Sequence, residues 1–223
     1  MLPVLFLIKT KKMKVEIWSD IMCPFCYIGK RRFEKALSQF PRAEDVEIEW
    51  KSFQLNPEMK TDTNKNINQY LAEIKNWSLS QAQAMNDRVI LMAEKEGLHY
   101  DFNKAIVANS FDAHRLIQYA KTVHKGDEAE ERLFKAYFTE GKNISDGSVL
   151  IDLAEDIGLN RTEAEDVLKN NKFTENVNED IREAAKIGVT GVPFFVFNRR
   201  YAVSGAQEAE TFLDVLTKTT ENQ

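Results

Sequence analysis

Cys23 and Cys26 are the only cysteines in a chain of 223 residues, and Pro24 and Phe25 separate them. Two thiols at i and i+3 lie one helical turn apart, close enough to join in a disulfide without unwinding a helix. If a helix starts at this point, its unpaired N–H groups and the positive end of its dipole favour a thiolate on Cys23. A thiolate is the nucleophile in disulfide exchange. The outer sulfur would attack a substrate disulfide, and the more buried Cys26 would resolve the mixed disulfide that forms. Two bland readings compete with this one. Half of a zinc site needs two further ligands, and His99, His114 and His124 lack the close spacing of a finger. Two incidental core thiols are the other alternative.

The elements that must position the pair follow from patterning. Val15 to Trp18 reads as a short apolar strand ended by Ser19 and Asp20. Pro24 suits a first-turn helix position, where a missing N–H costs nothing. Ile28, Phe33, Ala36 and Leu37 continue the apolar face, and Pro41 stops it. Val46 to Phe53 alternates apolar and charged residues, as a strand with one wetter face does. Strand, helix, strand makes a parallel pair under the right-handed crossover rule.

After the polar stretch "NPEMKTDTNKN", roughly the next hundred residues read as almost entirely helical. Ser78 with Gln81 and Asp127 with Glu130 look like capping boxes, and Asn160 with Glu163 like another cap. Met85, Val89 and Met92 are expected on one buried face. Beyond Gly188, "VPFFVF" fits a buried strand, "NRR" a turn, "YAV" a second strand and Gln207 to Leu216 a closing helix. The fold class is therefore α/β, a thioredoxin fold with a large all-helical insertion. Its expected parts are residues 13–60 and 175–223 for the thioredoxin fold, 61–174 for the insertion and 1–12 for an N-terminal extension. The Val192-Pro193 bond precedes the buried strand near the active helix. A cis bond there would leave the Val192 backbone free to pair with an extended substrate, and an ordinary trans proline starting a strand is equally compatible.

Composition narrows the partners. A net charge of −5 and the absence of a Lys/Arg run give no reason to expect nucleic acid. Leu2 to Ile8 is apolar but precedes the basic residues Lys9, Lys11 and Lys12, the reverse of a secretory signal, and is too short to span a bilayer. A short strand, a flexible extension and a translation start at Met13 all fit. The expectation is a cytoplasmic protein with no membrane partner, monomeric or homodimeric.

"WSDIMCPFCYIGKRRFE", "NSFDAHRLIQYA" and "GVPFFVFNRRYAVSGAQ", in this order, resemble the FrnE branch of the DsbA-like thioredoxin group. The resemblance runs from Met13 almost to the end. It implies a thiol–disulfide oxidoreductase with Cys23 as nucleophile, Cys26 as resolving thiol and Val192-Pro193 as a cis-proline loop. It implies no metal and no organic cofactor, with protein or peptide thiols and low-molecular-weight thiols such as glutathione as partners. Some proteins of that branch carry a second cysteine pair near the C-terminus, which this chain lacks. Relatives of the 2-hydroxychromene-2-carboxylate isomerase and kappa-class glutathione transferase type share the fold. They typically have serine where Cys23 stands, so a glutathione-dependent isomerase or transferase is the competing reading. A binding protein that keeps the fold and not the chemistry is a third. The Pro-Phe dipeptide resembles glutaredoxin's Pro-Tyr, which implies a potential on the order of −150 to −230 mV.

Supporting roles are weighed against structural ones. Glu16, at a position similar to an acidic residue of DsbA-like proteins, is a candidate for moving the Cys26 proton, or a strand-end ion-pair partner. His114 is a candidate groove residue, or a packed and hydrogen-bonded structural histidine. Asn109 and Ser110 fit a helix cap. Phe25 and Tyr27 would form an apolar lip for unfolded or peptide substrates, and Trp18 belongs to the core.

Overall fold

The computed structural model describes residues 12–221. The readings made for Leu2 to Lys11 lie outside these residues. Strand β1 (Met13–Ser19) leads through a short turn into helix α1 (Pro24–Gln39), and the chain returns as β2 (Val46–Ser52). β2 is parallel to β1, as the crossover rule requires. At the far end of the chain, β5 (Phe194–Phe197) and β6 (Tyr201–Ser204) form a hairpin, followed by α9 (Ala209–Glu221). The sheet order is β2-β1-β5-β6, with β5 antiparallel to β1.

The alternation of side chains along β1 builds both layers of core. Met13, Val15 and Ile17 face α1 and α9, where Phe33, Phe195, Phe197, Phe212 and Leu216 close the packing. Phe195 and Phe212 meet edge to face at 4.6 Å between ring centres. Trp18 points the other way, onto Ala184, Val189 and Val196, and its indole N–H donates to the Asp180 carbonyl at 3.0 Å. That face is covered by helix α8 (Thr174–Lys186). Each large apolar side chain buried here is worth roughly 1.5–3 kcal/mol.

Between β2 and α8 lie α2 (Ile67–Lys75), α3 (Leu79–Lys95), α4 (Phe111–Thr122), α5 (Gly126–Phe138), α6 (Gly147–Asp156) and α7 (Arg161–Lys169). This region is not wholly helical: β3 (Asp62–Asn66) and β4 (Ile106–Val107) make a small antiparallel ladder. β3 reads "DTNKN", with no apolar residue to alternate, and β4 is too short to carry a period. α2 opens on a capping box of Asn66 and Gln69 inside the stretch read as a polar break. The Ser78/Gln81 box is present, and Asn160 accepts from the Glu163 N–H.

Two expectations fail. α3 buries Ala82, Asn86, Val89 and Ala93, while Met85 is exposed. α5 begins at Gly126 without a side-chain cap. Asp127 instead accepts from the Trp50 indole at 2.9 Å and from Lys30 at 3.1 Å, tying α5 to β2 and α1. Among the described residues no helix is long and apolar enough to cross a membrane.

Candidate active site

Cys23 is the N-cap of α1, in extended conformation, with Pro24 in the first turn. The backbone N–H of Cys23 donates to the Asp20 carbonyl at 2.9 Å, and that of Cys26 to the Cys23 carbonyl at 3.0 Å. Both cysteines are free and buried. Tyr100 fixes this turn from the insertion, its hydroxyl donating to the Pro24 carbonyl at 2.8 Å.

The Val192-Pro193 peptide bond is cis, and the loop meets Cys23. The Cys23 thiol donates to the Val192 carbonyl at 3.4 Å. Gly29, one turn beyond Cys26, lets α1 approach the loop: a Cβ there would stand 3.0 Å from Pro193 Cγ. The Pro193 carbonyl accepts from the Gly205 N–H at 2.8 Å, so the loop is held from its other side as well.

The two sulfurs have different surroundings. Burial pushes the Cys26 thiol well above its ordinary pKa, and the neighbouring Cys23 adds to that. The Asp20 backbone N–H and the Ser19 hydroxyl act in the opposite sense. Cys26 is thus held as a neutral thiol, a nucleophile only once its proton is taken.

Of the other residues singled out from the sequence, Phe25 is partly exposed at the first turn beside Cys23, while Tyr27 is buried and forms no lip. The Tyr27 ring stacks on Phe134 at 4.9 Å, and its hydroxyl donates to Glu131 at 2.6 Å. Glu16 is not brought to the thiols. It shares the Trp18 face of β1, opposite α1, where Arg199 pairs with it. The β1 position that faces α1 at this depth is Ile17. His114 does not line an open groove: it is fully buried, with Nε2 3.6 Å from an Asp20 carboxylate oxygen and no hydrogen bond at either ring nitrogen. Arg115 closes the end of α7, donating to the Lys172 carbonyl at 2.8 Å and to Val167. Ser110 is the N-cap residue of α4 but makes no side-chain cap bond, while Asn109 just before it accepts from the Phe111 N–H at 2.9 Å.

Residues 14–217 match the model of the DSBA-like thioredoxin domain. The chain belongs to this family. Among members and relatives of the DSBA-like fold, a probable DsbA oxidoreductase of Streptomyces coelicolor is 39% identical, with a TM-score of 0.90 over 95% of this chain and 91% of its own. The YwbO protein of Bacillus subtilis is 30% identical over 203 residues, 89% of this chain and 92% of its own. The cytosolic disulfide reductase DsbM of Pseudomonas aeruginosa shares the fold at 15% identity and a TM-score of 0.67, covering 94% of this chain and all of its own.

Three residues that pack around the cysteine turn carried no signal in the sequence. Ser19 and Asp20 read only as a strand end, and nothing in the sequence tells a turn carboxylate aimed inward from one in solvent. Tyr100 sits in a loop of the insertion, 76 positions from the carbonyl it holds, so no local pattern reports it.

Proposed function

We propose that this chain is a thiol–disulfide oxidoreductase that works through Cys23 and Cys26 on protein, peptide or low-molecular-weight disulfides. The observation that carries this reading is the placement of Cys23: N-cap of α1, thiol against the Val192 carbonyl, with Cys26 buried one turn behind. A Cys23 thiolate attacks the substrate disulfide. The Val192 backbone pairs with the extended segment carrying that sulfur, and Phe25 supplies an apolar edge. Cys26 then displaces the substrate thiol and leaves the intramolecular disulfide. Glutathione is a fitting small partner, since the disulfide reductase DsbM, which has this fold, also has a structure with glutathione. A reducing compartment such as the cytoplasm suits a chain whose only cysteines are this pair.

The test equilibrates the protein across glutathione redox buffers and weighs thiol-tagged protein by mass spectrometry. A reversible two-thiol transition with a midpoint on the order of −150 to −230 mV is expected, and Cys26→Ser should accumulate a mixed disulfide on Cys23. If no intramolecular disulfide forms at any poise, the exchange reading is wrong. The 2-hydroxychromene-2-carboxylate isomerase that shares this fold at 17% identity marks the competing chemistry. Glutathione-dependent isomerase turnover that survives Cys26→Ser would establish that alternative.

A further inference from the structure

When Cys26 resolves a mixed disulfide its proton must leave a site that solvent scarcely reaches. Behind the turn that carries the cysteines, at Asp20, the structure holds unsatisfied polar atoms. Both ring nitrogens of His114 and Glu130 Oε2 are buried without a hydrogen-bond partner in the protein. Leaving such groups unpaired costs stability, and in native proteins they mark catalytic duty or ordered water. They come from α4 and α5: His114 Nε2 stands 3.6 Å from the Asp20 carboxylate, and the charge of Asp20 acts on Glu130.

Asp20 is fixed twice over. Its main-chain N–H faces the Cys26 sulfur and its carbonyl accepts from Cys23. Its carboxylate accepts from the backbone of Met22 at 3.2 Å and of Leu55 at 2.8 Å. Among the described residues, His114 is the one basic side chain within ion-pair distance of it. The other titratable groups facing Asp20 are poor acceptors. Burial, with Asp127 adding to it, pushes the Glu130 carboxyl well above the usual carboxylate range, which favours its protonated form. The charges of Lys30 on α1 and Lys121 on α4 act on that carboxyl in the opposite sense. The Tyr137 hydroxyl donates to the Ile106 carbonyl at 2.9 Å, and burial holds its proton on.

We propose that Asp20 and His114 form a positioning pair that takes up the Cys26 proton during resolution and returns it in the reverse reaction, while the Ser19 hydroxyl donates to the sulfur as it becomes a thiolate. In that step the Cys26 S–H bond breaks and its proton passes to the pair. The Cys26 sulfur bonds to Cys23, and the bond between Cys23 and the substrate sulfur breaks. The substrate leaves as a thiolate that takes a proton from solvent. The dithiol is oxidised by the one disulfide that the substrate loses. This proposal rests on the exchange reading above.

The test resolves the two steps with glutathione disulfide as oxidant, by acid-quenched mass spectrometry at intervals of pH. His114→Asn and Asp20→Asn are expected to form the mixed disulfide at the wild-type rate. Its resolution should be slower by on the order of 10²-fold, the low end for a positioned acid–base group. The pH dependence of the second step should flatten, and Ser19→Ala should slow that step alone. Should the Asp20 or His114 variants fail to fold, the wild-type protein still answers. Its resolution step must show a normal solvent deuterium isotope effect and a pH profile distinct from that of the first step. Resolution that is unchanged in folded variants, equal slowing of both steps, or a resolution step with no isotope effect would each overturn the proposal. A wild-type protein that forms the mixed disulfide and never the intramolecular one would instead overturn the exchange reading itself.

Discussion

Gly29 offers the sharpest test of how the helix and the proline loop are fitted together. A Cβ at this position would meet Pro193 Cγ at 3.0 Å, Phe195 Cζ at 3.4 Å and Ala206 Cβ at 3.5 Å. Only the first contact is tight, so Gly29→Ala requires the proline ring to yield by a few tenths of an ångström. Alanine gains about 0.8–1 kcal/mol of helix propensity over glycine, while overpacking costs about 1–3 kcal/mol. The net change in stability should be small. Activity should respond more, because the loop carries the Val192 carbonyl that contacts the Cys23 thiol. A misplacement of 1 Å costs about 10²-fold, so on a logarithmic scale a few tenths cost about fivefold. Gly29→Val adds methyl groups toward all three neighbours and should lose about 2–3 kcal/mol with most of the exchange rate. The assay pairs urea denaturation of the reduced protein with single-turnover reduction of a peptide disulfide. If Gly29→Val unfolds at the wild-type midpoint and turns over at the wild-type rate, the close approach of α1 to the loop is not what positions the site.

Three further predictions concern buried charge. Arg115 is 2% exposed and serves the carbonyls at the end of α7, so Arg115→Ala should cost about 3–5 kcal/mol, read as a lower urea midpoint at unchanged slope. Burial alone would raise the Glu49 pKa, but Lys14, Lys121 and Lys51 hold it down at about 2. Its stabilisation is therefore complete above the unfolded value near 4.5 and is lost as pH falls toward 2. Glu49→Gln should flatten the acid limb of a stability–pH curve, with a loss of about 1–2 kcal/mol at neutral pH once solvent screening is allowed for. Glu130 has the opposite sign: its raised pKa stabilises the fold below the unfolded value, and this is lost as pH rises through the folded one. Glu130→Gln should gain stability over wild type progressively as pH rises above the ordinary carboxyl value of 4.5, and a curve parallel to wild type would contradict the raised value.

What could be read from the sequence was what repeats or sits locally. The apolar run of β1, the first-turn proline, the 3.6-residue stripe of α1 and the aromatic strand at Phe194 to Phe197 each impose a period or a terminus, and together they define the thioredoxin order. The parts that stayed hidden depend on distance along the chain. Tyr100 reaching Pro24, His114 facing Asp20, and Asp127 bound to Trp50 and Lys30 join elements far apart in sequence. Glu16 illustrates the limit. One residue of strand register decides whether a carboxylate faces the thiols or the opposite layer, and the sequence shows an acid in the strand without saying which face the resolving thiol lies behind.

The start of α1 breaks a local rule for the sake of the sulfur. An N-cap is ordinarily Ser, Thr, Asp or Asn, whose side chain accepts from the exposed N–H groups. Cys23 makes no such bond, and no acidic residue occupies the first turn. The positive end of the helix is therefore left unanswered until a negative charge forms on that sulfur. It follows that Cys23→Ser should do two opposite things. Disulfide exchange should vanish, since a hydroxyl at this position is not a competent nucleophile toward sulfur. Stability of the reduced protein should rise by about 1 kcal/mol, the usual worth of a serine cap over a residue that does not cap. Chemical denaturation of both proteins under reducing conditions measures the difference without any contribution from the disulfide. An inactive Cys23→Ser protein with an unchanged or lower midpoint would mean that the open helix end is already satisfied in the reduced state. In that case the reasoning that ties the nucleophile to the helix terminus would have to be abandoned, even though the thiol chemistry stood.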